Sequence, residues 1–412
     1  MSRFLRVKTV REVLAIAGQI KPLGTQTIPI EHACGRVLCG DIRAGEPVPH
    51  FERATMDGYA VRSRDTFGAS ESLPALLDVS GEVFMGEPAT VRVEPGKAVA
   101  IPTGGMLPEG ADAVVMVEYT SGLDDRTIEV SRPVAPGENV LKRGEEIAAG
   151  EELFHKGRRL LPQDIGVLAA LGIGEAGVYR RPRVAVMSSG DEIVPAQTRD
   201  VAPGKIRDVN TFTLACRIAR TGALVTRLGV AADRLDTLVS ACRDALSDHD
   251  VLVLSGGSSV GARDFTIRVL EGLPGAELLV HGAAIRPGKP TILARAGEKL
   301  FWGLPGQPVS AMIVCQAFVL PFLAALEGEI GGERPEPGAV KAVLSRQIPS
   351  VHGRTDYVPV LLSEKTSGPW TAEPVFGRSA MISVLARAHG YIVIPEHAEG
   401  LDRGAEVEVH LF

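Results

Sequence analysis

The stretch Val251-Leu252-Val253-Leu254-Ser255-Gly256-Gly257-Ser258-Ser259-Val260-Gly261-Ala262-Arg263-Asp264 decides the fold. Its opening apolar run shows no alternation. It reads as a strand buried on both faces, which belongs in a parallel sheet covered by helices. The strand then opens into three glycines, Gly256, Gly257 and Gly261, interleaved with Ser255, Ser258 and Ser259. Backbone N–H groups in such a turn can face an anion, and the helix that follows adds a partial positive charge at its N-terminus. No Gly-Lys-Ser/Thr follows, so this is not Walker spacing. Asp264 reads as the cap of that helix or, equally, as a metal ligand.

Working outward, strand and helix alternate from 183 to 326. Strands are expected at 184–187, 224–228, 251–254, 278–281 and 299–302, and helices at 211–220, 234–246, 264–270 and 309–326. The 234–246 helix is clearest, since Leu235, Leu238, Val239, Cys242, Ala245 and Leu246 make one apolar stripe. This predicts a doubly wound domain whose ligands sit beyond the C-terminal ends of the strands. Two more strand ends carry unusual turns. Met187-Ser188-Ser189-Gly190-Asp191-Glu192 offers hydroxyls and a glycine N–H suited to an oxyanion, beside carboxylates suited to Mg²⁺. A polar turn with a helix cap reads equally well there. Gly303-Leu304-Pro305-Gly306-Gln307-Pro308-Val309-Ser310 puts Pro308 at a first helical position and Gln307 at the cap. The exposed N–H groups of Val309 and Ser310 would make an anion seat, although two prolines shaping a turn explain the sequence as well. Arg286 and Lys289, in Arg286-Pro287-Gly288-Lys289-Pro290, add cations on the same edge. Asp233 is read as a cap for the helix beginning at Arg234, and His249 as structural.

With 412 residues the chain exceeds a single core, and roughly two to four domains are expected. Residues 1–20 read as a helix, with Val10, Val13, Leu14 and Ala17 on one face. Short strands broken by Gly and Pro fill 46–139 and predict an inserted β-rich domain. It holds Asp57, in Met56-Asp57-Gly58-Tyr59, and Thr103, in Thr103-Gly104-Gly105, both in tight turns. Residues 140–180 return to strand and helix, with Pro162 opening a helix at 163–171. Gly328 to Gly338 reads as a linker, and 339–412 as a small C-terminal β domain. The expected domains are therefore 1–45 plus 140–180, 46–139, 181–328 and 329–412.

Hydrophobic residues make up 45% and charged residues 23%, as in an ordinary soluble protein. A net charge of −6 without basic runs argues against nucleic acid and anionic membrane as partners. The longest apolar stretch, 311–326, is short for a bilayer span and is interrupted by Gln316 and Pro321. The first ten residues lack the apolar segment of a signal peptide. Five cysteines in no disulfide or zinc pattern suggest a reducing compartment, and Cys216, Cys242 and Cys315 read as buried small hydrophobes. A cytoplasmic location is expected.

The combination resembles the molybdopterin molybdenumtransferase (molybdenum insertase) family. The matching residues are Met56-Asp57-Gly58-Tyr59-Ala60-Val61, Thr103-Gly104, Gly144-Glu145-Glu146-Ile147, Ser189-Gly190-Asp191-Glu192, Ser255-Gly256-Gly257 with Ser259-Val260-Gly261, Arg286-Pro287-Gly288-Lys289-Pro290 and Leu304-Pro305-Gly306-Gln307-Pro308-Val309-Ser310. The resemblance implies a four-domain, elongated homodimer, with a molybdopterin-binding α/β domain, a linker and dimerisation domain, an inserted β-rich domain and a C-terminal β-barrel-like domain. The implied reaction moves molybdenum from molybdate into adenylylated molybdopterin and releases AMP, assisted by Mg²⁺. An adenylyltransferase is the implied supplier of the substrate.

By residue, the resemblance makes Asp191, Glu192 and Asp264 the catalytic and metal-holding acids. It makes Asp57 and Thr103 functional positions of the β-rich domain, which reaches the cleft of the other subunit. Ser189, Gly190, Ser255, Gly256, Gly257, Ser259, Gly261, Arg286, Lys289, Pro305, Gly306, Pro308 and Ser310 would hold the cofactor, with Arg354 and Ser379 from the C-terminal domain. The sequence departs from the bacterial pattern at Gly282, Arg286, Gln307 and Glu146, where relatives carry Lys, Lys, Asn and Asp. Two rival readings are an adenylyltransferase on a similar α/β domain, and a scaffold that kept the fold. The large β-rich insertion argues against the first, and the intact Asp191–Glu192 pair against the second.

Overall fold

The computed structural model describes residues 7–256, 260–330, 338–364 and 368–412, with the backbone alone at 260–264. Most of the proposed linker, 331–337, is outside the described residues.

A six-stranded sheet forms the centre. In chain order its elements are β1 (Arg183–Ser189), α1 (Asn210–Ala219), β2 (Leu224–Ala231), α2 (Leu235–Asp248), β3 (Val251–Gly256), α3 (Val260–Glu271), β4 (Ala276–His281), β5 (Ile292–Ala296) and β6 (Lys299–Leu304). The spatial order is β2-β1-β3-β6-β5-β4. The first four strands in that order run parallel, while β5 and β4 are antiparallel additions. The apolar runs are buried on both faces in strict alternation. Val184, Val186, Val251 and Val253 pack toward one layer with Leu214 and Ile218 of α1. Ala185, Met187, Leu252 and Leu254 pack toward the other with Leu238 and Cys242 of α2 and Val269 of α3. The side-chain period of two in a strand is the cause.

The first layer is completed by the helix Pro308–Leu326, whose middle turn, Cys315–Val319, is a π-helix. It is long and apolar enough to cross a membrane, but 72% of its apolar window is buried in the fold. Trp302 of β6 meets Phe322 edge-on, centroids 5.0 Å apart, and lies parallel to Phe318 at 6.5 Å. All three rings are fully buried. Rings in these arrangements stabilise beyond their buried area.

A second six-stranded sheet joins Ala113–Met116, Gly58–Val61, Lys97–Ile101, Ala75–Glu82, Thr127–Val130 and Thr120–Gly122, all within the span read as β-rich. A third closes on itself: Thr355–Ser363 pairs with both Trp370–Pro374 and Gly390–Ile394, completing a ring through Val340–Leu344 and Glu406–Leu411. Closure satisfies the strand edges. The short strand Ile285–Arg286, from the α/β region, adds in parallel to this ring, with Arg286 opposite Asp356.

Several expectations change. Cys216 is exposed, while Cys242 and Cys315 are buried. It falls two residues from both Leu214 and Ile218, off the buried stripe of α1. α3 begins at Val260, so Asp264 sits in its second turn and cannot be its N-cap. Strand β5 follows a Pro-Gly-Lys-Pro segment that reads as loop.

Candidate active site

The parallel register brings the three unusual turns together. Ser188 stands opposite Ser255, Ser189 opposite Gly256, and Ser255 opposite Leu304. Gly256 is required by this closeness, since a Cβ there would lie 2.3 Å from the carbonyl oxygen of Ser189. The Ser255 hydroxyl donates to the Pro305 carbonyl at 3.2 Å. Gly257 and Ser259 lie outside the described residues, as do the side chains of 260–264, Asp264 included. Gly261 contributes helical backbone.

Asp191 and Glu192 follow β1 and are exposed. A third carboxylate, Asp233, follows β2. The backbone N–H of Asp233 donates to Asp191 Oδ1 at 3.2 Å. Arg234, not Asp233, is the N-cap of α2, and no side chain caps that helix. The reading of Asp233 as a cap is therefore wrong. Its Oδ1 is buried without a hydrogen-bond partner among the described residues. Burial, then the charges of Asp191 and Glu192, push the Asp233 carboxyl above its ordinary range. None of the three makes an ion pair among the described residues. The three carboxylates lie near one another, and the charge of a hard divalent cation such as Mg²⁺ would relieve their repulsion.

The other side of the Pro305–Gln307 turn faces a cleft of about 1280 Å³ between the central sheet and the C-terminal ring. Arg286, Lys289, Arg354 and Arg378 line it, and Asp356 is its only lining carboxylate among the described residues. Asp356 is 3% exposed. It receives Arg354 Nε at 2.8 Å and lies 3.6 Å from Arg286 Nη1. One buried carboxylate thus orients two guanidinium groups, and a net positive cleft remains. Gly288, at φ +118, brings backbone against the long helix where a Cβ would fall 2.4 Å from Val314 Cγ2. Burial pushes the Tyr357 phenol in the wall up to about 12, so it stays neutral.

Ser379 also lines the cleft, and it changes one expectation. The N–H of Val309 donates to the Ser379 carbonyl at 3.0 Å. Both Val309 and Ser310 are buried. The start of the long helix is thus closed by the C-terminal domain and is not an open seat at Val309. Ser379 and Gln307 side chains are also hydrogen-bonded to each other. Pro305 and Ser310 line the cleft, whereas Gly306 turns its carbonyl to Asn210.

Asp57 and Thr103 meet each other at the ends of paired strands. The Thr103 N–H and hydroxyl donate to Asp57 Oδ1 at 2.6 and 2.8 Å and hold that carboxyl below its ordinary range, the backbone bond most. Neither residue lines the cleft.

Family models match nearly the whole chain: the MoeA N-terminal region (domain I and II) over 8–172, the probable molybdopterin binding domain over 185–325, and the MoeA C-terminal region (domain IV) over 341–412. The molybdopterin molybdenumtransferase of Bacillus subtilis (strain 168) is 33% identical over 391 residues, covering 94% of this chain and 90% of the relative. The chain belongs to the molybdopterin molybdenumtransferase family. The Haemophilus influenzae member is 32% identical over 392 residues, with 95% of each chain covered. The solved molybdopterin biosynthesis moeA protein of Pyrococcus horikoshii OT3 superposes with a TM-score of 0.84 at 32% identity, covering 99% of this chain and 100% of that one. The fold class expected from the sequence is the architecture of this family.

Sequence reasoning missed Asp208, Asn210, Asp233 and Asp356. The signal available for Asp208 and Asn210 was a polar pair between strand and helix in Ile206-Arg207-Asp208-Val209-Asn210-Thr211. For Asp356 it was a carboxylate two residues after Arg354.

Proposed function

We propose that this enzyme inserts molybdenum from molybdate into adenylylated molybdopterin, releasing AMP and yielding the molybdenum cofactor. One observation carries the reading. One edge of the central sheet carries both carboxylates after β1 and β2 and, after β6, a turn held by Ser255 and Asn210 whose Pro305 and Gln307 line a cationic cleft suited to an oxyanion. Molybdate and a pyrophosphate repel each other, so a protein that joins them must screen both.

In this reading the β1, β3 and β6 strand ends hold the pyrophosphate side of the substrate. Ser189, Gly190, Ser255, Gly256 and the 257–261 segment would present hydroxyls and N–H groups to it. Asp191, Glu192 and Asp233 would hold Mg²⁺, with Asp264 an added candidate. Bound there, the cation would neutralise charge as the phosphoanhydride opens. Arg286, Lys289, Arg354 and Ser379 would hold molybdate, the arginines kept in place by Asp356. Gly282 supplies no cation to this set, which leaves Arg286 and Lys289 to do so from their segment. Pro308 and Ser310 shape the wall, and Asp57 with Thr103 would act from the β-rich domain on the cleft of a second subunit. The protein's contribution is mainly to hold two anions in reacting geometry.

The proposed organisation is a cytoplasmic homodimer. Residues 1–45 with 140–180 would link and dimerise, 46–139 would form the inserted β-rich domain, 181–328 would bind molybdopterin, and 329–412 would close the cleft. A molybdopterin adenylyltransferase would supply the substrate. The test is incubation of purified protein with adenylylated molybdopterin, Mg²⁺ and molybdate, assaying AMP and metal-loaded cofactor together. Both should appear in equal amounts. AMP release without metal-loaded cofactor, or neither product, would refute the reading.

A further inference from the structure

The buried carboxamide of Asn210 joins the two turns that frame the site. Its Nδ2 donates to Ser255 Oγ at 2.7 Å and to the Gly306 carbonyl at 2.8 Å. The amide orientation follows from its partners. Ser255 has one hydroxyl proton, and it is used on the Pro305 carbonyl. Ser255 Oγ can therefore only accept from Asn210, and Gly306 offers only an acceptor. A flipped amide would press two oxygens together at both contacts.

Asn210 is itself fixed from below. Asp208, 6% exposed, accepts the Ser188 hydroxyl of β1 at 3.3 Å and the N–H of Thr211 at 3.1 Å, and also the Thr211 hydroxyl. This anchors the start of α1 to the β1 strand end. Contacts run from Ser188 through Asp208 to Thr211 at the start of α1, and from the adjacent Asn210 to Ser255 and Gly306. They tie the ends of β1, β3 and β6 with charge-assisted or buried hydrogen bonds, which hold geometry most firmly in a water-excluded setting.

The geometry points to Asn210 as a positioning residue that sets the spacing of the β3 and β6 turns, and so their grip on the pterin substrate. Ionised aspartate at this position would turn a negative oxygen toward the Gly306 carbonyl. Protonated aspartate would restore one donor. Alanine would restore none at any pH. These three chemistries separate a positioning role from a merely structural one.

The inference rests on the reading of these turns as the molybdopterin site. Its test uses full-length wild type, Asn210→Ala and Asn210→Asp. Calorimetric titration with molybdopterin is paired with molybdenum transfer measured against molybdate. Asn210→Ala should weaken molybdopterin binding about tenfold, the effect of losing one hydrogen bond of ordinary net strength, with the KM for molybdate within about twofold of wild type. The Asn210→Asp defect should shrink as pH falls from about 8 to about 5, as a buried carboxyl takes up its proton, while the alanine defect stays constant. Unchanged molybdopterin affinity overturns the inference. So does a fall in kcat with both half-saturations at wild type, the mark of a smaller folded fraction. A wild type that binds molybdopterin yet transfers no metal breaks the proposed function and leaves this inference to the titration. If wild type binds no molybdopterin, hydrogen exchange decides. Amides in 303–310 should exchange about tenfold faster in Asn210→Ala than in wild type, and equal rates overturn the inference.

Discussion

Two neighbourhoods on the same edge of the central sheet handle charge in opposite ways. After β1 and β2, Asp191, Glu192 and Asp233 lie near one another with no carboxylate ion pair among the described residues, the Lys205 ammonium donating only to the Asp191 backbone carbonyl, and the Asp233 carboxyl is pushed up. In the cleft lined by Pro305 and Gln307, Arg286 and Arg354 share the buried Asp356, and Lys289 and Arg378 extend the positive wall. The first neighbourhood keeps a repulsion that an external cation would relieve. The second resolves its own repulsion with an internal carboxylate and leaves positive charge for an oxyanion. The contrast teaches that one sheet edge can carry two electrostatic tasks at different strand ends.

The contrast breaks most visibly at Glu192. Glu192→Gln keeps the shape and removes the charge, so molybdenum transfer should fall on the order of 100-fold, with an unchanged unfolding temperature. Kinetics across Mg²⁺ concentrations checks this, and a wild-type rate would remove Glu192 from the cation site. Asp356→Ala comes next. It leaves two guanidinium groups facing each other without their buried partner, and should destabilise the C-terminal ring by about 2 kcal/mol, seen in denaturant unfolding. The cost stays below that of breaking a fully buried pair because Arg286 remains solvated, with a side chain 62% exposed.

The smallest effect sharpens the comparison by its sign. The Asp233 carboxyl binds its proton more tightly folded than unfolded. Its ionisation therefore costs stability as pH climbs from the unfolded value through the raised folded one, and costs nothing below that window. Asp233→Asn should raise the unfolding temperature by about 1–3 °C near pH 8 without divalent cation, and the gain should vanish near pH 4. Added Mg²⁺ should stabilise wild type more than the variant. Calorimetry with and without Mg²⁺ measures both.

The central sheet was legible because strands such as 251–254 are apolar on both faces, which only a covered parallel sheet satisfies. The strand-end turns were legible because Gly256 and the Ser189–Glu192 run change chemistry abruptly at a strand end. Tertiary neighbours hid the rest. Asp233 looks like a cap in sequence, and only the fold of β1 beside β2 sets it against Asp191. Val309 looks like a free helix start, and only the C-terminal segment at Ser379 closes it. Arg286 looks like a loop cation, yet its strand adds to the edge of a ring more than sixty residues downstream, opposite Asp356. Cys216 was misread although the spacing from Leu214 and Ile218 already placed it off the buried stripe.

Half-saturation by molybdate and by Mg²⁺, measured in parallel for wild type, Glu192→Gln and Arg354→Gln, tests the division of tasks most directly. The account expects Glu192→Gln to raise the Mg²⁺ requirement about tenfold or more and leave molybdate half-saturation within about twofold, and Arg354→Gln to do the reverse. If both substitutions shift both requirements equally, the sheet edge does not carry two separate sites and the account is wrong.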